Sequence, residues 1–373
     1  MKILIFIDSL GAGGAEKSTE VICDYLYKEG IYFEVLILDE SNIGPQEKMK
    51  EKGYIIKLLP KSNFLSEVQS FRKIIEKGNF NLVHSILFRS NLRARFAKGL
   101  NNFNYIESLV NTTYSETRLK DKKVNQIALK FYKMLDKASA SKVNHFHSIT
   151  ETVKEHYVEE LGLNPKKITV IPRGRKPILI HFKDRPEREG KKVQLINVGR
   201  HEFQKGQIYL LQAVKILKEE KLYFHLKIFG REGTVTPDLK AFIQNNALEE
   251  YVSLEKYTST IQQHLLNSDV FAFPSHYEGL GGALIEAQAA GLPIVCNNIP
   301  VLHEVVIKDQ NAKFFDVNDV NSIVEALKFF ILNPDKREEY GKKSLQNFHE
   351  KFQEKVNNEK LLQLYTKLVK EAV

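Results

Sequence analysis

The sequence predicts two doubly wound α/β domains in one chain. Three observations carry this. Short apolar runs alternate with helical segments twice over, a pattern that requires crossover connections and a parallel sheet. The alternation breaks once, between residues 172 and 192, in a basic stretch with three prolines and little periodicity. A length of 373 residues also suits two domains of ~100–200 residues each.

In the first half, apolar runs at 2–7, 32–38, 81–84, 104–109 and 143–148 read as strands. They are continuous because parallel strands are buried on both faces. Helical spacing at 14–28, 64–77, 88–99, 122–138 and 150–161 fills the gaps. Beyond the linker, strands are expected at 193–198, 224–229, 251–254, 270–273 and 293–296. Helices are expected at 205–219, 236–247, 259–266, 283–290 and 319–332. The polar tail from 335 to 371 reads as two helices, the last crossing back to the first domain. The expected division is a first domain over 1–172, a second over 173–351, and a helix at about 352–373 packed on the first. The two domains should face a cleft, because ligands of such sheets lie beyond the carboxyl ends of the strands.

Composition narrows the class. A 43% apolar content suits a globular protein and excludes a disordered tail or a collagen-like fibre. Cys23 and Cys296 are far apart in sequence, so a reducing compartment is the simplest reading. The apolar opening MKILIFI ends at Asp8, too early for a signal peptide. No window approaches the ~20 apolar residues of a membrane span. The formal net charge is +9, and it is unevenly spread. Residues 1–175 hold 28 Lys+Arg and 20 Asp+Glu, and residues 89–142 alone hold 12 and 4. Such a surplus meets nucleic acid, anionic membranes or phosphorylated substrates. Nucleic acid is the weakest of the three, since no recognised binding module interrupts the alternation.

Three motifs carry chemistry. Gly11-Ala12-Gly13-Gly14 follows strand one and opens a helix. Small residues there admit a close backbone approach and leave the helix start open to an anion, or simply allow a tight turn. Asn197-Val198-Gly199-Arg200, followed by Lys205-Gly206, ends the first strand of the second half. A planar guanidinium and a compact ammonium five positions apart could grip a pyrophosphate; two solvated surface cations are the alternative. The third motif is PSHYEGLGGALIEAQAAGLP over 274–293. It places Glu278 in a loop, Gly279, Gly281 and Gly282 at a helix start, and Glu286 on the first turn. Free amides at that start favour an anionic ligand, and a carboxylate in that turn can accept from sugar hydroxyls. A glutamate answering the helix dipole would explain Glu286 but not the glycine-rich loop before it.

The combination VGR-x4-KG with PSHYEG-x7-EA-x3-G-x-P resembles the retaining glycosyltransferases of family 4, which have the GT-B fold of two facing Rossmann-like domains. The Glu278-to-Glu286 spacing is similar to that family's EX7E motif. GAGGAEK and ITETVKEHYVEELGLNPKKITVIPRG extend the resemblance over essentially the whole chain. It implies that Arg200 and Lys205 hold the diphosphate of a UDP- or GDP-linked sugar, with Glu278 facing the sugar as the third catalytic residue. Glu286 would hold the ribose. The backbone of Gly281, Gly282 and Ala283 would touch sugar or phosphate, and Gly13 and Gly14 would close on the donor from the first domain. Base contacts would come from near Gly230 and Tyr257. No metal or other cofactor is implied, since the two cations stabilise the leaving charge.

The resemblance has departures. His84 is present, but Ile86 and Asn111 stand where relatives often carry histidine. His84 and Asn111 therefore remain candidates for a sugar or acceptor contact. Arg173-Gly174-Arg175-Lys176 stands where relatives often read Asn-Gly followed by an aliphatic and an acid; this basic turn either adds a phosphate contact or is a solvated turn, and Arg173 joins His84 and Asn111 as a candidate sugar or acceptor contact. His145 and His147 lie two apart on one strand face, and no third ligand is near in sequence, so no metal site is expected.

The segment 122–138 spaces Val124, Ile127, Ala128, Phe131, Leu135 and Ala138 along one helical face, which reads as core-facing. Its lysines, with those on the preceding helix, suggest docking on an anionic membrane or an acidic acceptor. The docking set is Arg89, Arg93, Lys122, Lys123, Lys130 and Lys133. The expected function is transfer to a glycan or lipid-linked acceptor in cell-surface polysaccharide or glycolipid synthesis, by a cytoplasmic protein peripheral on the inner face of the membrane. The competing readings are a nucleotide-sugar epimerase or sugar phosphorylase of the same fold, and a catalytically degenerate subunit.

Overall fold

The structure, a computed structural model, describes residues 1–100, 103–178 and 192–371. Most of the expected linker, residues 179–191, therefore lies outside the described residues. The chain divides into two compact units. One comprises Met1–Ser115, Lys123–Gly174 and Glu354–Val373; the other comprises Glu116–Lys122 and Arg175–Gln353.

The elements of the first half are, in order, β1 (Lys2–Ser9), α1 (Gly14–Lys28), β2 (Tyr32–Asp39), α2 (Gln46–Glu51), β3 (Ile56–Leu58), α3 (Phe64–Gly78) and β4 (Leu82–Ile86). There follow α4 (Phe88–Lys98), β5 (Tyr105–Leu109), α5 (Glu116–Leu119), α6 (Gln126–Ser139), β6 (His145–Ser148), α7 (Glu151–Leu161) and β7 (Ile168–Val170). The seven strands form one sheet in the order β3-β2-β1-β4-β5-β6-β7, and every pairing is parallel. Ile3, Ile5 and Ile7 of β1 sit fully buried at its centre.

The second half runs β8 (Val193–Val198), α8 (Gln207–Glu219), β9 (Phe224–Gly230), α9 (Thr236–Asn245), β10 (Val252–Lys256), α10 (Ile261–Leu266), β11 (Val270–Phe273) and α11 (Gly282–Ala289). It continues with β12 (Ile294–Asn297), α12 (Pro300–Val305), β13 (Ala312–Phe315), α13 (Val320–Leu332) and α14 (Pro334–Lys351), and α15 (Glu354–Lys370) ends the chain. The second sheet is also parallel, in the order β10-β9-β8-β11-β12-β13. Two doubly wound parallel sheets are thus present. α15 returns to the first unit, packing on α1 and β4.

Three strands escape the apolar-run reading: β3, β7 and β13. Each has three or four residues and lies at the edge of its sheet. An edge strand pairs on one side only and needs no long buried run. The helix over 122–138 differs as well. α6 starts at Gln126, where Asn125 caps it by accepting from Ala128 N–H. Its only buried residue is Asp136. Ile127 is 82% exposed and Phe131 52%, so the apolar stripe expected to face the core instead faces outward. Asp136 reaches inward to Arg95, which is itself buried and paired with Glu107 through Nε and Oε2 at 2.7 Å. Burial raises the Glu107 pKa, and the Arg95 guanidinium opposes that rise. Among the described residues no helix is long and apolar enough to cross a membrane.

Candidate active site

In each sheet the strand order reverses once, between β1 and β4 and between β8 and β11. The loops leaving the carboxyl ends of those strands diverge there and leave a crevice. In the second unit, the β8–α8 loop carries Arg200 and Lys205, and the β11–α11 loop carries Glu278 and leads to Glu286. The four expected diphosphate and sugar residues thus stem from the two strands of one switch point.

The local geometry follows from glycine. Gly206 has φ +62°, and a Cβ there would stand 2.2 Å from Pro274 O, so only glycine lets the two loops touch. Around it, Gln204 Nε2 donates to Tyr277 O at 2.8 Å, and His276 N–H donates to Gln204 O at 2.8 Å. Phe203 stacks on His276 with centroids 4.7 Å apart. Burial, with Lys120 nearby, lowers the His276 pKa, and burial raises that of Tyr277. These contacts bring Lys205 Nζ onto Glu278 Oε1 in an ion pair, with the ammonium 5.5 Å from the Phe273 ring centroid. Gly281 at φ +81° starts α11 without a side-chain cap. The helix begins at Gly282, one residue earlier than the sequence reading. Glu286 is therefore its fifth residue, one position further in than expected.

Glu286 is 7% exposed and accepts from Arg175 Nε at 3.0 Å. In the sequence Arg175 stands out only as one residue of the basic 173–176 turn; its carboxylate partner lies 111 residues away, beyond any spacing rule. Arg200 is exposed. Gln207 Nε2 donates to the carbonyls of Gly199 and Arg200 at 3.2 and 3.1 Å, and Asn197 Nδ2 donates to Ala272 O at 2.8 Å. Among the described residues, Asn197 Oδ1, Gln207 Oε1 and Ser275 Oγ are buried without a hydrogen-bond partner. Such groups are costly unless water or a ligand completes them. Gly230 passes so close to β8 that a Cβ would stand 2.0 Å from Gly199 O; Tyr257 is 48% exposed. Gly282 and Ala283 are half-buried.

The remaining candidates lie elsewhere. Gly13 and Gly14 open α1 in the first unit, and Gly13 gives room to the Glu16 carboxylate. Asn111 turns its side-chain oxygen to Thr112 N–H at 2.9 Å. His84 is fully buried in β4, which leaves it no face for a sugar and corrects that expectation. It belongs instead to a chain of hydrogen bonds whose direction follows from its end. Ile171 O can only accept, so His147 Nε2 donates to it at 2.8 Å. His147 Nδ1 then accepts from Ser108 Oγ at 2.9 Å, His84 Nε2 donates to Ser108 Oγ at 2.7 Å, and Tyr365 donates to His84 Nδ1 at 2.5 Å. Arg173 Nη2 also donates to Ser108 Oγ, at 3.1 Å, so Arg173 is turned into the first unit's core. Burial drives the His147 pKa down to about 3 and that of His84 well below the usual value. Both rings are therefore neutral, and the chain ties β4, β5, β6 and α15 together. His145 Nε2 meets Thr169 Oγ1 at 2.8 Å.

The basic segment is less free than its charge count implies. Arg89 pairs with Asp39, Arg93 with Glu67 and Lys133 with Glu160. Lys122 and Lys123 are exposed, Lys122 in the excursion that groups with the second unit. Lys130 is exposed on α6.

Two family models match the chain, one described as Glycosyltransferase Family 4 over residues 12–177 and one as Glycosyl transferases group 1 over residues 180–347. The Campylobacter jejuni N-acetylgalactosamine-N,N'-diacetylbacillosaminyl-diphospho-undecaprenol 4-alpha-N-acetylgalactosaminyltransferase is 27% identical over 357 residues, covering 92% of this chain and 93% of that one. The Escherichia coli UDP-Gal:alpha-D-GlcNAc-diphosphoundecaprenol alpha-1,3-galactosyltransferase is 26% identical over 271 residues, covering 69% and 68%. Among solved structures, Anabaena HepE in complex with UDP has a TM-score of 0.82 at 16% identity, over 98% of this chain and 100% of that one. That likeness concerns the fold. With the two sheets and their switch points, these matches show that the chain belongs to the family-4-like glycosyltransferases of GT-B fold, built from a Family 4 domain followed by a group 1 domain.

Proposed function

We propose that this glycosyltransferase is a retaining, metal-independent enzyme of bacterial cell-surface polysaccharide synthesis. Its donor is a nucleoside-diphosphate sugar and its acceptor a lipid-linked glycan. The observation that carries the reading is that Arg200, Lys205, Glu278 and Glu286 all follow the two strands of the second switch point, with Lys205 paired to Glu278 and an uncapped helix start between Glu278 and Glu286. The names of relatives support it. The E. coli and C. jejuni enzymes are named for diphosphoundecaprenol-linked acceptors, the former with UDP-Gal as donor. A Staphylococcus aureus relative is named for capsular polysaccharide biosynthesis.

In this reading Lys205 and Arg200 hold the donor diphosphate, and Glu286 accepts from the ribose hydroxyls. Glu278 and the Gly281–Ala283 backbone face the sugar. The bond from the sugar's anomeric carbon to the diphosphate oxygen breaks, and the acceptor oxygen bonds that carbon on the same face. The acceptor's proton passes to the departing phosphate oxygen. The two cations and the amides of α11 stabilise the charge that develops there. Entry of the diphosphate draws Lys205 from Glu278, a carboxylate then left to face the sugar hydroxyls.

Peripheral attachment to an anionic membrane belongs to the same proposal. α6 presents Ile127, Phe131 and Met134 at i, i+4 and i+7, all exposed, with Lys130 and Lys137 exposed beside them. An apolar stripe flanked by lysines suits the boundary between headgroups and acyl chains. The donor assignment is tested by a panel of UDP- and GDP-linked sugars, read by thermal shift and by nucleoside diphosphate release. One donor should stabilise the protein and be consumed. A chain indifferent to every donor would refute the assignment.

A further inference from the structure

One buried side chain at the second switch point has no role in that mechanism. Gln207 is the first residue of α8, two positions after Lys205, and is 1% exposed. Its Nε2 donates to Gly199 O at 3.2 Å and to Arg200 O at 3.1 Å. A carbonyl can only accept, so the amide is oriented by these two bonds, with Nε2 toward the loop. Gly199 leaves room for the contact. A Cβ there would stand 3.4 Å from Gln207 Nε2 and 3.2 Å from Cγ and Cδ of Lys205. One amide thus reaches from the helix start across the β8–α8 loop to the residue that carries the Arg200 guanidinium.

The other bonds of the loop show what Gln207 adds. Gly199 N–H donates to Phe229 O at 2.9 Å and His201 N–H to Arg231 O at 3.0 Å, which ties this stretch to β9 and the residue after it. Within the loop, Glu202 N–H donates to Arg200 O at 2.8 Å and Lys205 N–H to Glu202 O at 2.9 Å. None of these bonds joins residues 199–200 to α8; Gln207 does, through both carbonyls. Arg200 is exposed and holds no ion pair among the described residues, so the direction of its side chain is set by the main chain behind it. Lys205 is instead held by its own pair with Glu278. The amide is also retained at a cost. Its Oε1 is buried without a hydrogen-bond partner among the described residues, a cost that a methionine of similar length would not carry. Chains break such local rules at functional positions.

We infer that Gln207 is a positioning residue of the donor site. It clamps the main chain of Arg200 to the start of α8, so that the guanidinium and the Lys205 ammonium of the same loop are presented to one diphosphate. The inference rests on the donor-site reading above and deepens it. Arg200 and Lys205 touch the diphosphate, whereas Gln207 touches neither donor nor acceptor and acts through Arg200.

The test is a double-mutant cycle on the full chain, read by calorimetric titration with UDP and with GDP. Gln207→Met keeps the length of the side chain and removes the donor. It should weaken the nucleoside diphosphate about fivefold or more, with a melting temperature close to that of wild type. The same change made in Arg200→Ala should cost less than about twofold, because the cation it positions is gone. Made in Lys205→Ala, it should cost as much as in wild type. Gln207→Leu, which also lacks the donor, should repeat the pattern. A merely structural role would disturb the loop equally in every background and make all three costs alike. Gln207→Met that binds as wild type, or that costs as much in Arg200→Ala as in wild type, overturns the role of Gln207 and leaves the donor site standing. Arg200→Ala that binds as wild type overturns the diphosphate role of Arg200 and the inference with it. Wild type that binds neither UDP nor GDP overturns the donor site as a whole.

Discussion

Lys205 and Glu278 face each other across two loops because Gly206 has no side chain to hold the loops apart. The pair stands ready for exchange: a phosphate can take the ammonium, and a sugar hydroxyl the carboxylate. Lys205→Ala and Arg200→Ala should each lower affinity for the donor diphosphate, or the rate, tenfold or more, since bonds to charged groups contribute ~1.5–3 kcal/mol. Titration of each variant with the donor found in the panel checks this. Lys205, Glu278 and Glu286 were legible in the sequence because they stand at short fixed spacings just after a strand. Arg175 was legible only as part of a basic turn, because its carboxylate partner lies far along the chain. His84 misled for a different reason. A histidine on a short apolar run reads equally as ligand or as core, and β4 lies second to β1 near the middle of the sheet, where both faces are covered. The neutral histidine chain has a consequence for stability. Unfolded, His147 takes a proton below about pH 6.5; folded, it does so only near pH 3. The unfolded state therefore binds more protons in that window, and stability falls as pH drops through it. His147→Gln should show a shallower loss of urea midpoint between pH 7 and 5 than wild type.

At the scale of elements, α6 separates pattern from placement. Its apolar spacing was legible, yet spacing cannot say which side of a helix is covered. The inward side is held by one carboxylate, Asp136, on buried Arg95, with Tyr114 donating to the same carboxylate at 2.6 Å. Replacing Arg95 with Met would leave Glu107 and Asp136 buried together without their cation. Breaking a buried pair in this way costs about 3–5 kcal/mol, so a large fall in melting temperature is expected by calorimetry. The outward side should behave oppositely. Ile127→Ser/Phe131→Ser/Met134→Ser removes exposed groups and should leave the melting temperature nearly unchanged, while sharply reducing co-sedimentation with phosphatidylglycerol vesicles. Vesicle binding equal to wild type would argue against attachment through this face. Edge strands show the complementary limit. β1, β2, β8 and β9 announce themselves as buried apolar runs, whereas β3, β7 and β13 depend on a neighbour that no local pattern reveals.

For the whole molecule, the net charge of +9 proves a poor guide to any surface. The cations that made 89–142 conspicuous include Arg89, Arg93, Arg95 and Lys133, each paired with a carboxylate on another element. Those pairings are tertiary and leave no trace in a running count. The architecture was far more legible, because two rounds of strand–helix alternation admit few topologies other than two parallel sheets. Each sheet then supplies one crevice by its own strand order, and the loops that flank the second sheet's crevice carry Arg200, Lys205, Glu278 and Glu286. The most direct measurement of the central claim is transfer itself. Purified protein would be incubated with the donor panel and an undecaprenyl-diphosphate-linked sugar acceptor, and the product examined by NMR. One nucleoside-diphosphate sugar should be consumed, without added metal and in the presence of a chelator, to give a product with the donor's anomeric configuration. A product of inverted configuration, or transfer that stops when the chelator is added, would contradict the account.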